Sequence, residues 1–214
     1  IYDGQTSFGF FTPESLAHQV GLPETDRPTV MALPHTAAAH ASVTLEDTAP
    51  MTPEDPQSSP GDMNRMPSRA LRMIDRIDHF IPEGGPHRLG YVRGTKTIDP
   101  EEWFFKAHFY QDPVCPGSLG IESFIQLLRF AANAFWPDCE QTHTMELLAP
   151  APHTWRYRGQ ILPSNHRVTV EAMITERRDQ PHPMLKADGY LKSDGIYIYK
   201  MHNFGLQLNP RDTP

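Results

Sequence analysis

Hydrophobic positions divide the chain into a C-terminal part with regular periodicity and an N-terminal part without it. The most regular stretch is 118–136, SLGIESFIQLLRFAANAFW, which carries apolar side chains on nearly every face. A helix with this pattern is typically buried on all sides. Trp136-Pro137 marks its end, because proline cannot continue a helix from within. We therefore predict one long central helix.

β-branched and aromatic residues cluster or alternate on both sides of this helix. Before it, 69–81 is predicted as a strand or mixed segment and 88–98 as a strand. After it, we predict strands at 153–162, 167–177, 184–192 and 196–208, separated by turns rich in Pro, Asn and Gly. One hydrophobic helix followed by several antiparallel strands predicts an α+β domain in which a sheet wraps the helix.

Proline is concentrated ahead of this periodic region. The chain has 22 prolines in 214 residues, against an ordinary share of about 5%. Residues 22–67 contain many of them among Thr, Ser, Ala, Asp and Glu, with no helical or strand period. We predict a linker or surface-draped segment over 22–67 and a folded domain over 68–210.

The first residues echo the last predicted strand. Residues 1–9, IYDGQTSFG, resemble residues 198–205, IYKMHNFG, with one residue of slippage. We interpret residues 1–21 as the last strand and exit of a preceding, related domain, with a chance match of two aromatic strands as the alternative. Because the chain begins with Ile rather than Met, we expect it to be a piece of a longer protein.

Charge and cysteine content narrow the class of function. The formal net charge is −7 and no stripe of Lys or Arg occurs, which argues against binding to nucleic acid or an anionic membrane. No apolar run approaches the ~20 residues that span a bilayer. Cys115 and Cys139 are too far apart for a C-x-x-C metal or redox pair. We expect a cytoplasmic protein without a metal site.

Candidate chemistry lies at the start of the predicted helix. Pro116 ends the preceding segment, Gly117 permits a sharp turn, and Ser118 is predicted to cap the helix. Free backbone N–H groups there, with the helix dipole, could stabilise a carbonyl oxygen that gains negative charge. His108 precedes the turn and supplies a base suited to neutral pH, while Glu122 places a carboxylate in an apolar helix.

Each of these residues also has an ordinary explanation. The chain has 11 histidines, and a single His is usually a surface or core residue without a catalytic role. A Glu near a helix N-terminus is usually a favourable partner of the dipole. Only the joint pattern H-F-x-x-D-P-V-x-P-G-S-L-G-x-E, from His108 to Glu122, is specific.

This pattern resembles the β-hydroxyacyl-acyl carrier protein dehydratases of the FabA/FabZ type, which have the hot-dog fold. The positions that match are His108, Pro113, Val114, Pro116, Gly117 and Glu122. Further matches are R-G-Q-I-L-P at 158–163, A-D-G at 187–189 and the final Gly205-Leu206, so the resemblance covers about 68–208. It looks closest to the FabA-like dehydratase domains of polyunsaturated fatty acid and polyketide-type synthases.

Two positions depart from the FabA pattern. Glu122 stands where FabA proteins usually have Asp, so the isomerisation of the double bond that accompanies dehydration in FabA is not implied. Cys115 replaces the commoner Met. We interpret Cys115 as a small apolar residue that lines the turn, with a nucleophilic thiol as the alternative.

The resemblance implies dehydration of (3R)-hydroxyacyl thioesters, carried on the phosphopantetheine arm of acyl carrier protein, to trans-2-enoyl thioesters. His108 would remove the α-proton, the N–H of Gly117 would bind the thioester carbonyl, and Glu122 would protonate the departing hydroxyl. The carbonyl of Val114 would hold the His108 ring. Further substrate-binding residues are expected along the turn and in an apolar tunnel: Val114, Pro116, Ser118, Phe109, Leu119, Phe124 and Leu128. No cofactor or metal is implied.

In this family the His and the acid of one site usually come from different hot-dog units. We therefore expect a homodimer joined edge to edge, or a pseudo-dimer with an adjacent hot-dog domain. Two alternatives remain open. The chain could be another hot-dog thioester enzyme, such as a hydratase or thioesterase, or a non-catalytic hot-dog unit that supports a neighbouring dehydratase.

Overall fold

The computed structural model describes residues 18–28, 43–45, 66–67, 69–148 and 152–211, together with positions 5, 12 and 14. The echo of the last strand at 1–9 lies almost entirely outside these residues. The helices used below are α1 (Trp103–Ala107) and α2 (Gly117–Phe135). The strands are β1 (Val43–Thr44), β2 (Arg76–Ile81), β3 (Tyr91–Thr97), β4 (His143–Leu147), β5 (Thr154–Tyr157), β6 (Arg167–Arg178), β7 (Met184–Ser193) and β8 (Ile196–Pro210).

The strands form one antiparallel sheet in the order β1-β2-β3-β6-β7-β8-β4, and β5 also pairs with β8. Strand β8 is long enough to hold two partners on the same side. Its residues 199–202 pair with β5, and its residues 206–210 pair with β4. Strand β5 therefore lies at an edge of the sheet, and all four of its residues are exposed.

Helix α2 packs against the concave face of this sheet, in contact with β3, β6, β7 and β8. Its side chains are buried around most of the circumference, and only Ser118 and Ala134 are exposed. Phe124, Leu127 and Leu128 are fully buried, and each contributes roughly 1.5–3 kcal/mol relative to an exposed position. This arrangement confirms the predicted α+β class and the hot-dog architecture.

Element boundaries differ from the sequence prediction in specific places. The segment 69–81 is a 3-10 turn (Arg69–Leu71) followed by β2, and the predicted strand 153–162 is a strand only over β5. Strand β4 and the short helix α1 were not predicted. Five residues are too few to show a helical period, and the alternation in HTMEL at β4 is mostly polar.

Described parts of the Pro-rich region pack on the domain. The two residues of β1 pair with β2, and the N–H of Leu45 donates to the carbonyl of Asp75 at 2.9 Å. Leu22 is fully buried, and its N–H donates to the carbonyl of Tyr197 at 2.7 Å. Residues near the start and in the middle of the region therefore lie against the folded domain.

Close packing of helix and sheet depends on glycine at β7. A Cβ at Gly189 would overlap the Phe124 ring and lie 2.5 Å from the carbonyl oxygen of Glu171. We expect Gly189→Ala to lower the free energy of unfolding by about 3 kcal/mol, because neither neighbour can move without disturbing the core. Urea denaturation measures the loss.

Gly195→Ala is the control for this change. A Cβ at Gly195 meets nothing within 4 Å, so only the strain of its φ of +89° remains, about 1 kcal/mol. Equal losses from the two variants would contradict the packing argument.

Candidate active site

The site is built around the loop that connects α1 to α2. His108 follows α1 directly, and its backbone N–H donates to the carbonyl of Phe104 at 3.0 Å. The loop then passes through Gln111, which has a positive φ of 58°. It returns to the core at Val114 and Cys115, both buried, where the N–H of Cys115 donates to the carbonyl of Ile161 at 3.0 Å. The loop is thus fixed at both ends.

The His108 ring is held in one orientation. Its Nδ1 lies 3.0 Å from the carbonyl oxygen of Val114, as the resemblance implied. A carbonyl can only accept, so Nδ1 carries a proton, and in the neutral imidazole the lone pair is on Nε2. The Phe109 ring stacks at a tilt on the imidazole, with the centroids 4.0 Å apart. The ring is therefore presented as a base through Nε2.

Helix α2 begins immediately after the loop. Its N-cap residue is Pro116, with no side-chain capping hydrogen bond, and Ser118 lies inside the first turn. The prediction that Ser118 caps the helix is therefore wrong. Because no side chain caps the helix, backbone N–H groups of its first turn, including that of Gly117, remain available to a ligand at the positive end of the dipole.

Two aromatic side chains press against this first turn. A Cβ at Gly117 would lie 2.8 Å from the Trp155 ring of β5, and a Cβ at Gly120 would lie 2.8 Å from the Tyr199 hydroxyl and overlap its ring. The Trp155 and Tyr199 ring centroids are 5.5 Å apart. Glycine at both positions lets the backbone of α2 approach β5 and β8 closely, so the first turn lies beside the edge of the sheet.

The carboxylate of Glu122 is held by two residues on the same face of α2. Gln126, four residues on, donates to Glu122 Oε1 at 2.9 Å, and Arg129 Nη1 lies 3.4 Å from the same oxygen. The Glu122 side chain is 28% exposed and so can reach a ligand. Within the described part of one chain, the Glu122 carboxylate and the His108 ring are not hydrogen-bonded to each other.

Gln126 is itself fixed by the backbone of the segment before β2. It is fully buried, its Oε1 accepts from the N–H of Met73 at 2.9 Å, and its Nε2 donates to the carbonyl of Leu71 at 2.9 Å. Both ends of the amide are therefore satisfied by fixed partners. Sequence reasoning missed Gln126 and Arg129, although the spacing i, i+4, i+7 of the polar residues in α2 was a signal for them.

A small cavity of about 20 Å³ lies behind the first turn of α2. Of the four predicted tunnel residues, only Leu119 lines this cavity. Phe124 and Leu128 are fully buried in the core, and Phe109 is 56% exposed. The side chains and backbone that line it are mostly apolar: Met73, Lys96, Ile98, Phe104, Cys115, Leu119, Gly120, Ser123, Ile161, Val168 and Leu191.

The described residues show neither a metal-binding cluster nor a membrane-spanning helix. They contain no group of three or more His, Cys, Asp or Glu side chains placed to hold a metal ion. No helix among them is both long and apolar enough to cross a membrane.

Comparison with known proteins shows a family model and a relative that each cover most of the chain. The family model of the FabA-like domain matches residues 66–202. A polyunsaturated fatty acid synthase polypeptide of Thraustochytrium sp. (strain ATCC 26185 / S-3) is 33% identical over 226 residues, covering 97% of this chain. The match takes up 14% of that relative, so this chain spans about a seventh of its length.

Solved structures with a similar chain path are more distant in sequence. The dehydratase heterocomplex ApeI:P of Xenorhabdus doucetiae has a TM-score of 0.48 at 11% identity, covering 73% of this chain and 94% of that one. A mutant thioesterase from Pseudomonas aeruginosa has a TM-score of 0.42 at 12% identity, covering 56% of this chain and 76% of that one.

The environment of Cys115 predicts an unreactive thiol. Burial raises the pKa of the Cys115 thiol to about 12, and the nearby charge of Lys96 offsets only part of this effect. At pH 8 the reactive thiolate is then roughly one part in 10⁴. We expect iodoacetamide at pH 8 to modify the partly exposed Cys139 of the folded protein well before Cys115, as read by peptide mass spectrometry.

Modification of Cys115 at the rate of a free cysteine would instead support the nucleophilic thiol. The unfolded protein in urea is the control, since both cysteines should then react alike.

Proposed function

The chain belongs to the FabA-like dehydratase family, and from that membership we propose that it dehydrates (3R)-3-hydroxyacyl thioesters on acyl carrier protein to trans-2-enoyl thioesters. The observation that carries this proposal is the arrangement around the α1–α2 loop. A histidine with a free Nε2 precedes a Pro-Gly turn with available N–H groups, and an anchored carboxylate follows five residues after Gly117.

The reaction needs one proton removed and one supplied. His108 Nε2 takes the α-proton of the acyl chain, and the electron pair of that C–H bond forms the new double bond. The thioester oxygen gains negative charge as this happens, and the N–H of Gly117 donates to it. Glu122 gives its proton to the β-hydroxyl, whose C–O bond breaks, and water leaves. A proton then returns from His108 to Glu122 through solvent.

The partners of Glu122 suit the step in which Glu122 gives its proton to the β-hydroxyl. Once it has given up its proton, the carboxylate carries a negative charge that Gln126 and Arg129 stabilise from 2.9 and 3.4 Å. Because Gln126 is fixed by the backbone at Leu71 and Met73, the carboxylate does not have to be ordered during the reaction.

We propose that the substrate arrives on acyl carrier protein and that the chain is one module of a fatty acid or polyketide synthase. The 33% identity to part of a polyunsaturated fatty acid synthase supports this context. We propose that the cavity behind the first turn of α2, which Leu119 helps to line, is part of the acyl path. Val114, Pro116, Ser118 and Phe109, which lie outside this lining, stay proposed substrate-binding residues along the loop.

A pairing of two hot-dog units through β5 is supported by its position. Strand β5 is an exposed edge, and its Trp155 side chain packs directly on Gly117. A second unit joined at this edge therefore lies next to the first turn of α2, where it can supply the missing half of a shared site. We propose that His108 of one unit acts with Glu122 of the other, in a homodimer or with an adjacent hot-dog domain.

The alternative of a supporting, non-catalytic unit is less favoured. Such a unit has no need for both His108 and Glu122, nor for hydrogen bonds that orient each of them. A thioesterase or hydratase remains the alternative among hot-dog enzymes. A thioesterase releases a free thiol and is distinguished by its products, whereas a hydratase catalyses the same reaction in reverse.

The proposed chemistry predicts a large effect at both residues. With a (3R)-hydroxyacyl-N-acetylcysteamine thioester, we expect loss of water from the substrate by mass spectrometry. His108→Ala and Glu122→Gln should each lower kcat by about 10²- to 10⁴-fold, because each removes one proton transfer. His87→Ala, a change at an exposed histidine, should leave kcat unaltered.

A folded dimer that leaves the substrate intact would contradict catalysis by this chain alone. Release of free thiol without loss of water would favour a thioesterase.

Mixing two inactive variants tests whether the site is shared between chains. When His108→Ala and Glu122→Gln proteins are unfolded together and refolded, half of the dimers are mixed and each has one intact site. We therefore expect about a quarter of the wild-type activity to return. If both residues of a site belonged to the same chain, no activity would return.

A further inference from the structure

A short segment that overlaps the start of the Pro-rich region packs beside the candidate site. In residues 19–27, called the N-terminal clamp below, Leu22 is fully buried and bonded to the carbonyl of Tyr197 on β8. Gly21 has a φ of +72°, and a Cβ there would overlap the carbonyl of Tyr197. The backbone of the clamp therefore lies directly on β8.

The side-chain amide of Gln19 makes two hydrogen bonds to the backbone of Gln160, as a neighbouring strand would. Its Oε1 accepts from the N–H of Gln160 at 2.7 Å, and its Nε2 donates to the carbonyl of the same residue at 3.3 Å. Gln160 lies just beyond the end of β5, where the backbone has left the sheet. A side chain on Gly159 would come within 2.8 Å of Gln19 Oε1, so glycine there keeps the place of the amide open.

Charges hold the rest of the clamp in place. Asp26 forms ion pairs with Arg156 of β5 and Lys200 of β8, while Arg27 Nε donates to the carbonyl of Leu22 at 2.8 Å. Partial burial opposes ionisation of Asp26, but the hydrogen bonds and charges of Arg156 and Lys200 outweigh it and lower the pKa of this carboxyl. The clamp thus contacts β5 and β8, the strands against which α2 begins.

A continuous chain of contacts joins Gln19 to His108. Gln160 is followed by Ile161, whose carbonyl accepts the N–H of Cys115 at 3.0 Å. Val114, next to Cys115, holds the His108 ring through its own carbonyl at 3.0 Å. On the other side, Cys115 is followed by the Pro116-Gly117 turn. Gln160 and Ile161 therefore connect Gln19 to the loop that carries both proposed catalytic groups.

We propose that the clamp is an integral part of this catalytic unit and that Gln19 is a positioning residue, which fixes Gln160 and through it the loop carrying His108 and Gly117. The structural part of this proposal is independent of the reaction, whereas its effect on turnover rests on the proposed dehydratase function. The family model begins at residue 66, so it does not include this residue.

The test compares three variants of the full chain. Gln19→Ala removes both hydrogen bonds to Gln160. Gln19→Glu keeps an acceptor for the N–H of Gln160 but loses the donor to its carbonyl. His18→Ala, at the neighbouring exposed residue, is the control. The measurements are amide hydrogen exchange at Gln160 and Cys115, the 15N shift of His108 Nδ1, and kcat and KM for dehydration.

For Gln19→Ala we expect the exchange of both amides to accelerate about tenfold and the Nδ1 signal to move, since a freed Gln160 loosens Ile161 and Cys115. We expect kcat to fall about tenfold at nearly constant KM, because a misplaced base slows the chemical step more than binding. Gln19→Glu should keep Gln160 protected and lose less activity, and His18→Ala should match the wild type.

Unchanged exchange at Gln160 in Gln19→Ala would overturn the proposal. So would faster exchange at Gln160 with no change at Cys115 or His108, because Gln19 would then only stabilise the edge of the sheet. If the wild type proves inactive, the proposed function fails on its own, and the exchange and 15N data still decide whether Gln19 positions the loop.

Discussion

The burial of α2 is the constraint on which the rest of the structure depends. A helix with almost no polar face must be covered on most sides, and a sheet that curls around it provides that cover. Glycines at the points of closest approach let helix and strands meet, at Gly189 against Phe124 and at Gly120 against Tyr199. The same packing fixes the first turn of α2 against β5 and β8, so the position of the site follows from the core.

The two ends of the α1–α2 loop differ in how far they are buried. At the end next to α2, Val114 and Cys115 are buried and Cys115 is hydrogen-bonded to Ile161, whereas Phe109 and Tyr110 are 56% and 91% exposed. The end next to α2 carries two groups on which the proposed mechanism depends, namely the carbonyl of Val114, which orients His108, and the N–H of Gly117. Two exposed aromatic rings side by side are expected where a second protein surface or an acyl chain covers them.

The central helix and the loop of the site could be predicted from the sequence, because each depends on a pattern of residues that are close together in the chain. The apolar run at 118–136 marks α2 to within one residue, and the His108–Glu122 spacing marks the loop. What could not be predicted depends on contacts between distant residues. Strand β5 stops at Tyr157 although the β-rich pattern continues to Leu162, and Gln160 finds its partner in Gln19, 141 residues away. No local pattern shows that pairing.

The polar residues Gln126 and Arg129 of α2 are better explained by the proposed role of Glu122 in proton transfer than by a contribution to stability. Gln126 and Arg129 occupy buried positions, and Arg129 Nε has no hydrogen-bond partner in the described part of the chain. An unsatisfied buried donor costs about 1–3 kcal/mol. Both side chains instead converge on one oxygen of Glu122. A carboxylate that only interacted with the helix dipole would not need two buried partners, whereas one that must accept negative charge at a defined position does.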